Sequence, residues 1–313
     1  MEKIVFLERH TLRAPLRDPS FEHTMRYYAD AEKRPEELVE RLKEATVVIV
    51  NKTPLRADVL GRLPKLKLIA VVATGTDNID LEFCRARGIE VRNVRGYAAE
   101  TVPEHVFMLA LALSRNLLGY REDVRAGLWH RSEQFCLQTH WISDLHGGTL
   151  GIVGYGTLGR GVERLARAFG MEVLISEHKG ATSVREGRTA FEEVLRRADV
   201  LTLHVPLNEE TRYLIGHEEL ALMKRTALLI NCARGGVVDE WALAGALRKK
   251  RIGGAGVDVL STEPPGLGNP LLDHDLPNII VTPHVAWAGH RAQQELADRL
   301  MDNIEDFFKR AED

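Results

Sequence analysis

Cysteine is scarce: three residues in 313, an odd number with no Cys-x-x-Cys pair, make neither a disulfide framework nor a zinc site. A reducing cytoplasm is the expected compartment. No apolar run is long enough to cross a bilayer. The longest strongly apolar stretch, Val106 to Leu113, is far short of the about 20 residues a spanning helix needs. Acidic and basic residues in MEKIVFLERH interrupt the place where a signal peptide stays apolar. Excess charge is missing too. Lys and Arg number 42 against 45 Asp and Glu, a net of −3, so neither nucleic acid nor an anionic membrane is an expected partner. There are no repeats at solenoid periods and no low-complexity tract. What is present is ordinary globular composition, 44% hydrophobic and 28% charged. At about 150 residues per domain, two domains are expected.

Short apolar runs alternate with helical patterns, the mark of α/β domains whose parallel sheets are covered on both faces. In the first part, strands are predicted at Lys3–Leu7, Val47–Val50, Leu66–Ala73 and Glu90–Val94, with a helix over Pro35–Ala45. Thr101, Pro103 and Glu104 read as an N-cap, an early-turn proline and a capping-box partner. They open a helix with Val106, Leu109, Ala110, Leu113 and Leu117 on its apolar positions. The stretch Trp129–Trp141 has no period and reads as a loop or arm. A second alternation predicts strands at Leu150–Val153, Glu172–Ile175, Val200–His204, Ala227–Asn231, Gly254–Val259 and Ile279–Thr282. Helices fit over 157–169, 189–197, 216–223 and 239–249, and a last one over 288–310. Six strands after one glycine-rich turn is the count of a dinucleotide-binding domain.

That turn is Gly154-Tyr155-Gly156-Thr157-Leu158-Gly159, entered from a strand and followed by a helix. Gly154 permits the tight turn, Gly156 lets backbone approach a pyrophosphate, and Gly159 lets helix pack on strand. The helix N-terminus offers free N–H groups to phosphate. Glu177, eighteen residues beyond Gly159, stands where an acidic side chain accepts the adenosine ribose hydroxyls and repels a 2′-phosphate. NAD is therefore expected, with NADP the alternative because His178 and Lys179 follow and can neutralise a phosphate.

Three more segments fall at predicted strand C-termini, the edge where such sheets bind ligands. They carry Arg234, then Asp258 and Glu263, then His284. An arginine fork suits a carboxylate and a carbonyl. A histidine can pass a hydroxyl proton, and a neighbouring carboxylate can orient it. Beside a nicotinamide this set suits hydride transfer at a 2-hydroxy acid.

With ATGTDNID (73–80), GYGTLG (154–159), INCARGGVVDE (230–240), DVLSTEPP (258–265) and TPHVAWA (282–288), the chain resembles the D-isomer-specific 2-hydroxyacid dehydrogenases along its whole length. TVPEH (101–105), SEQFC (132–136) and HVAWA make it most similar to their glycerate dehydrogenase (hydroxypyruvate reductase) branch. The resemblance implies a flavodoxin-like substrate domain, 1–98 plus 288–313, and a Rossmann NAD-binding domain, 99–287, inserted in it. It implies that Arg234 binds substrate and polarises its carbonyl, Glu263 pairs with the histidine, His284 is the acid/base and Asp258 contacts the nicotinamide carboxamide. It further implies substrate contacts from Thr74, Gly75, Thr76 and Trp287. The cofactor site would be lined by Thr101, Gly154, Gly156, Thr157, Leu158, Gly159, Glu177, His204, Pro206, Thr211, Cys232, Ala233, Arg234, Asp258 and His284. Hydroxypyruvate and D-glycerate are the implied substrate pair, glyoxylate the second choice, and a homodimer embraced by the 129–141 arm the implied assembly. Two departures are visible: Glu177 where Asp is common, and Cys232 where Thr is often found. Rival readings are a superfamily member acting on phosphoglycerate, formate or a bulkier 2-oxo acid, and an NADH-sensing co-repressor. No ligand spacing among the remaining histidines suggests a metal, and no covalent role falls to a cysteine.

Overall fold

The apolar runs of the sequence become strands buried on both faces in the computed structural model, which describes residues 1–30, 32 and 34–312. The chain divides into two units: Met1–Ala98 together with the stretch from Ala288, and Ala99–Trp287.

In the first unit β1 (Glu2–Phe6), β2 (His23–Tyr27), β3 (Val47–Val50), β4 (Leu68–Val71) and β5 (Glu90–Asn93) form a sheet in the order β2-β1-β3-β4-β5. All pairs are parallel, with Ile4 opposite Val47, Val47 opposite Leu68 and Leu68 opposite Glu90. This is the flavodoxin-like order. Around it lie α1 (Pro35–Leu42), α2 (Ala57–Leu60), α3 (Leu81–Ala86) and the C-terminal helix His290–Glu312. Pro35 starts α1, where its missing N–H leaves no bond unmade, and Leu38, Val39 and Leu42 face the core. Asp80 caps α3 by accepting from the Phe83 N–H at 3.0 Å. The C-terminal helix packs on β4 and buries Leu296, Leu300 and Ile304.

The second unit opens with α4 (Thr101–Ser114) and α5 (Leu117–Arg125). Then β6 (Thr149–Val153), α6 (Thr157–Ala168), β7 (Glu172–Ile175), α7 (Phe191–Arg197), β8 (Val200–Leu203), α8 (His217–Leu222), β9 (Leu228–Asn231), α9 (Glu240–Arg248), β10 (Gly254–Val257) and β11 (Ile279–Val281) alternate. The sheet order is β11-β10-β9-β8-β6-β7, again all parallel. All six strand C-termini therefore lie along one edge.

Three differences from the sequence reading have physical reasons. β2 was not predicted: HTMRY has one aliphatic side chain, as an exposed edge strand needs no apolar run. The six strands predicted for the second unit all form, and beyond β7 a single bridge, Ser176 with Thr189, extends the pairing. Thr101 is the first helical residue and not the cap; its hydroxyl reaches the Ala286 carbonyl at 3.4 Å, and Glu100, whose side chain makes no capping bond and pairs with Arg164 instead, precedes the helix. The helix also stops at Ser114, and Asn116 turns the chain at φ 51° before α5, a conformation asparagine tolerates.

Candidate active site

Along the C-terminal edge of the second sheet the predicted site residues appear in strand order. Glu177 follows β7, the glycine turn follows β6, and His204 and Pro206 follow β8. Cys232, Ala233 and Arg234 follow β9, Asp258 and Glu263 follow β10, and His284 follows β11. Residues up to 130 positions apart in sequence thus share one rim.

The turn fits a dinucleotide. Gly154 has φ 95°, and a Cβ there would lie 2.6 Å from the His204 carbonyl carbon. A Cβ on Gly159 would meet the Gly154 carbonyl oxygen at 2.4 Å. At Gly156 a Cβ would meet nothing within 4 Å, which leaves an open cradle at the start of the twelve-residue α6, beside Thr157 and Leu158. On the far side of β8, Thr211 donates its hydroxyl to the Pro206 carbonyl at 2.6 Å and pins that loop.

Glu177 is not an open acceptor. Its carboxylate takes the Arg185 Nε at 2.7 Å and Nη2 at 2.5 Å, with backbone N–H groups of His178 and Arg185 at 2.9 and 3.2 Å. The guanidinium holds its pKa well below the carboxylate range. Lys179, which the sequence offered as a phosphate partner, pairs with Glu219 at 2.7 Å instead. Burial raises the Cys232 thiol above its ordinary pKa, with Asp258 adding to the rise.

At the other end of the rim His284 Nδ1 lies 2.5 Å from Glu263 Oε2, and Glu263 Oε1 accepts the Leu260 N–H at 2.9 Å. The ring is thereby oriented, with Nδ1 and not Nε2 turned to the carboxylate. Arg234, just after β9, donates Nη1 to its neighbour's carbonyl at Ala233, 2.8 Å away. Gly235 brings the arginine loop against the glutamate loop: a Cβ there would sit 2.0 Å from the Leu260 carbonyl carbon. The Trp287 indole donates to the His284 carbonyl at 2.9 Å. Asp258, 1% exposed, accepts from Thr282 Oγ1, Val285 N and Ala286 N at 2.5, 2.9 and 2.9 Å. It clamps the histidine turn.

Two contributors escaped the sequence reading. Glu240, buried at the start of α9, accepts Ser261 N at 2.6 Å, Ser261 Oγ at 2.9 Å and Asn269 Nδ2 at 2.8 Å, and so fastens the loop that carries Glu263. Its place as the last residue of INCARGGVVDE was the available signal. His105 on α4 brings Nε2 to 3.0 Å from Thr282 Oγ1; it lay inside TVPEH but has no spacing of its own.

In the first unit the Thr74–Thr76 segment follows β4, the Thr74 hydroxyl donates to the Val94 carbonyl at 2.9 Å, and the Thr76 carbonyl accepts the Ile79 N–H at 2.9 Å. A cavity of about 650 Å³ lies at the opposite edge of the second sheet, by strand N-termini, among His146, Asp199, Arg225 and Lys250. Parallel sheets bind at strand C-termini, so the rim is the candidate site despite that cavity's size. Among the described residues, no group of three or more His, Cys, Asp or Glu could hold a metal, and no helix is long and apolar enough to cross a membrane.

Residues 107–286 match the family model described as D-isomer specific 2-hydroxyacid dehydrogenase, NAD binding domain. Glycerate dehydrogenase of Methylorubrum extorquens is 51% identical over 306 residues, 98% of this chain and 96% of the relative. Glyoxylate reductase of Korarchaeum cryptofilum is 38% identical over 280 residues, 88% and 83% of the two chains. Among solved structures, the TT0316 protein of Thermus thermophilus superposes with a TM-score of 0.82 at 34% identity, covering 96% of this chain and 95% of that one. A D-lactate dehydrogenase of Aquifex aeolicus, complexed with NAD and lactic acid, gives 0.79 at 28%, covering 98% and 95%.

Proposed function

Since this chain belongs to the D-isomer specific 2-hydroxyacid dehydrogenase family, an NAD-linked group of oxidoreductases, we propose that its reaction is the interconversion of D-glycerate and hydroxypyruvate, with glyoxylate as second substrate. The observation that carries the reading is the Glu263–His284 pair on the strand end next to that of Arg234, on the rim that bears the glycine turn.

The Gly154–Gly159 turn would hold the pyrophosphate and Glu177 the adenosine ribose. Thr101, His204, Pro206, Thr211, Cys232, Ala233 and Asp258 would line the path to the nicotinamide end. Bound NAD supplies the acceptor, and NADH the donor, of hydride at the substrate's C2. Arg234 presents a fork of donors to the substrate carboxylate and to the C2 oxygen, where charge develops during reduction. Trp287 would wall the pocket. His284 exchanges the proton at Nε2: it takes one from the C2 hydroxyl in oxidation and gives it to the carbonyl oxygen in reduction. Glu263 keeps Nδ1–H occupied so that Nε2 faces the reacting oxygen.

NAD is proposed over NADP on the acidic position that Glu177 fills in the sequence pattern, a carboxylate that Arg185 already pairs. A homodimer is supported by exposed apolar side chains on α5 and the following arm, among them Leu117, Val124, Trp129, Phe135 and Trp141; light scattering that gives a monomer at micromolar concentration removes it. Three free cysteines agree with a cytoplasmic site. The deciding experiment is reduction of a panel of 2-oxo acids by NADH and NADPH, with His284→Ala alongside. Hydroxypyruvate should be the best substrate, and the variant should bind NADH by fluorescence titration while turnover collapses. Full turnover in His284→Ala rejects the assignment of the acid/base.

A further inference from the structure

We propose that His105 is a positioning residue for the His284 turn, acting through Thr282 and Asp258; this rests on the reading of His284 as the acid/base. The turn wraps around Asp258. Its carboxylate holds Val285 N and Ala286 N at 2.9 Å each, and its main-chain carbonyl accepts the His284 N–H at 2.8 Å. His284 itself lies at φ 54°, a left-handed conformation that its Cβ disfavours, so the turn must be held from outside.

The direction of the hydrogen bonds follows from the proton count. Both Asp258 oxygens already accept backbone N–H groups, so the Thr282 hydroxyl spends its single proton on Oδ1. Its oxygen can then only accept, and the His105 nitrogen 3.0 Å away must present Nε2–H. The same nitrogen lies 3.5 Å from Asp258 Oδ1. Burial lowers the His105 pKa and outweighs the pull of Asp258, in keeping with a neutral ring whose proton sits on Nε2. The run His105 to Thr282 to Asp258 to the 285–286 amides is therefore one-way and complete.

Packing brings these groups into range. A Cβ on Gly256, two residues before Asp258, would meet the Cβ of Leu109 at 2.9 Å. Leu109 is one helical turn from His105, so the bare glycine lets α4 approach β10 closely enough for the imidazole to reach Thr282. An aliphatic side chain at 105 would fill the space and leave the Thr282 oxygen without a donor, and the clamp on the turn would lose its back support.

The test compares His105→Leu, His105→Gln and His284→Ala in the full-length protein by kcat, KM, NADH affinity from fluorescence and thermal midpoint. The glutamine amide places an N–H near the position of Nε2. His105→Leu should lower kcat for hydroxypyruvate on the order of 10- to 100-fold, with KM and NADH affinity little changed. His105→Gln should recover most of that loss. Parental kcat in His105→Leu beside an inactive His284→Ala overturns the positioning role. So does an equal loss in both 105 variants that tracks a fall in thermal midpoint, because packing alone then explains it. If His284→Ala keeps its turnover, the acid/base reading fails instead.

Discussion

Glu263 touches two things at once: its Oε2 meets the His284 ring and its Oε1 holds the Leu260 amide. Glu263→Gln keeps the shape and can keep the Leu260 bond through its carbonyl oxygen. Its amide N–H then faces Nδ1, which must become an acceptor, and the imidazole proton moves to Nε2. That tautomer cannot take the C2 hydroxyl proton. Turnover in the oxidising direction should fall on the order of 100-fold, with NAD binding intact; stopped-flow and fluorescence titration separate the two. Legibility at this scale was uneven. Arg234, Glu263 and His284 each stand in a distinctive motif at a strand end. His105 and Glu240 lie inside TVPEH and INCARGGVVDE without a chemical signal of their own, because a buried residue that bonds to backbone or hydroxyl can be supplied from any nearby helix, and only the fold says which helix is near.

The strand ends would be loose without the elements behind them. Asp239 caps α9 with bonds of 3.0 Å to Trp241 N and Ala242 N, and the next residue, Glu240, reaches the loop over 261–269. Glu240→Ala removes three bonds from a buried carboxylate and leaves their donors unpaired. It should cost about 2–3 kcal/mol of stability and lower kcat through a wandering Glu263; thermal denaturation and steady-state kinetics check both. An unaltered kcat would show that the loop needs no fastening. The elements themselves were largely legible. Val47–Val50 coincides with its predicted strand because a run buried on both faces carries no competing signal, and the half-buried edge strand Glu172–Ile175 coincides as well. β2 was hidden because an edge strand is specified by its neighbour's hydrogen bonds more than by its own apolar content. The Thr101 capping box failed because tertiary contact with Ala286 drew the hydroxyl away.

For the whole molecule, stability depends in part on a histidine buried within the second unit. His204, at the end of β8 beside Gly154, bonds Nε2 to Thr202 Oγ1 at 2.9 Å, and its Nδ1 is buried without a partner among the described residues. Burial lowers its pKa from the ordinary 6.5 to about 4. Above pH 6.5 the imidazole is neutral in both folded and unfolded chains and no stability is lost. Between 6.5 and 4 the unfolded chain takes up a proton that the folded one refuses, so stability falls through that window, by at most about 3 kcal/mol. His204→Gln, which keeps a partner for Thr202, should flatten this part of the pH–stability curve measured by urea unfolding. An unchanged slope would show that other groups govern it. Both sheets followed from periodicity and run length, but their strand orders did not, since order depends on which side each crossover takes.

The left-handed backbone at residue 284 sets two pressures against each other. A histidine there sits in a conformation that glycine or asparagine occupies more comfortably, by roughly 1 kcal/mol. Selection for heat resistance alone would drift away from imidazole at this site, and, with His284 as the proposed acid/base, selection for turnover would restore it. The fold therefore keeps a standing conflict between durability and chemistry at a single Cα, and thermostable descendants of this scaffold must gain their margin elsewhere.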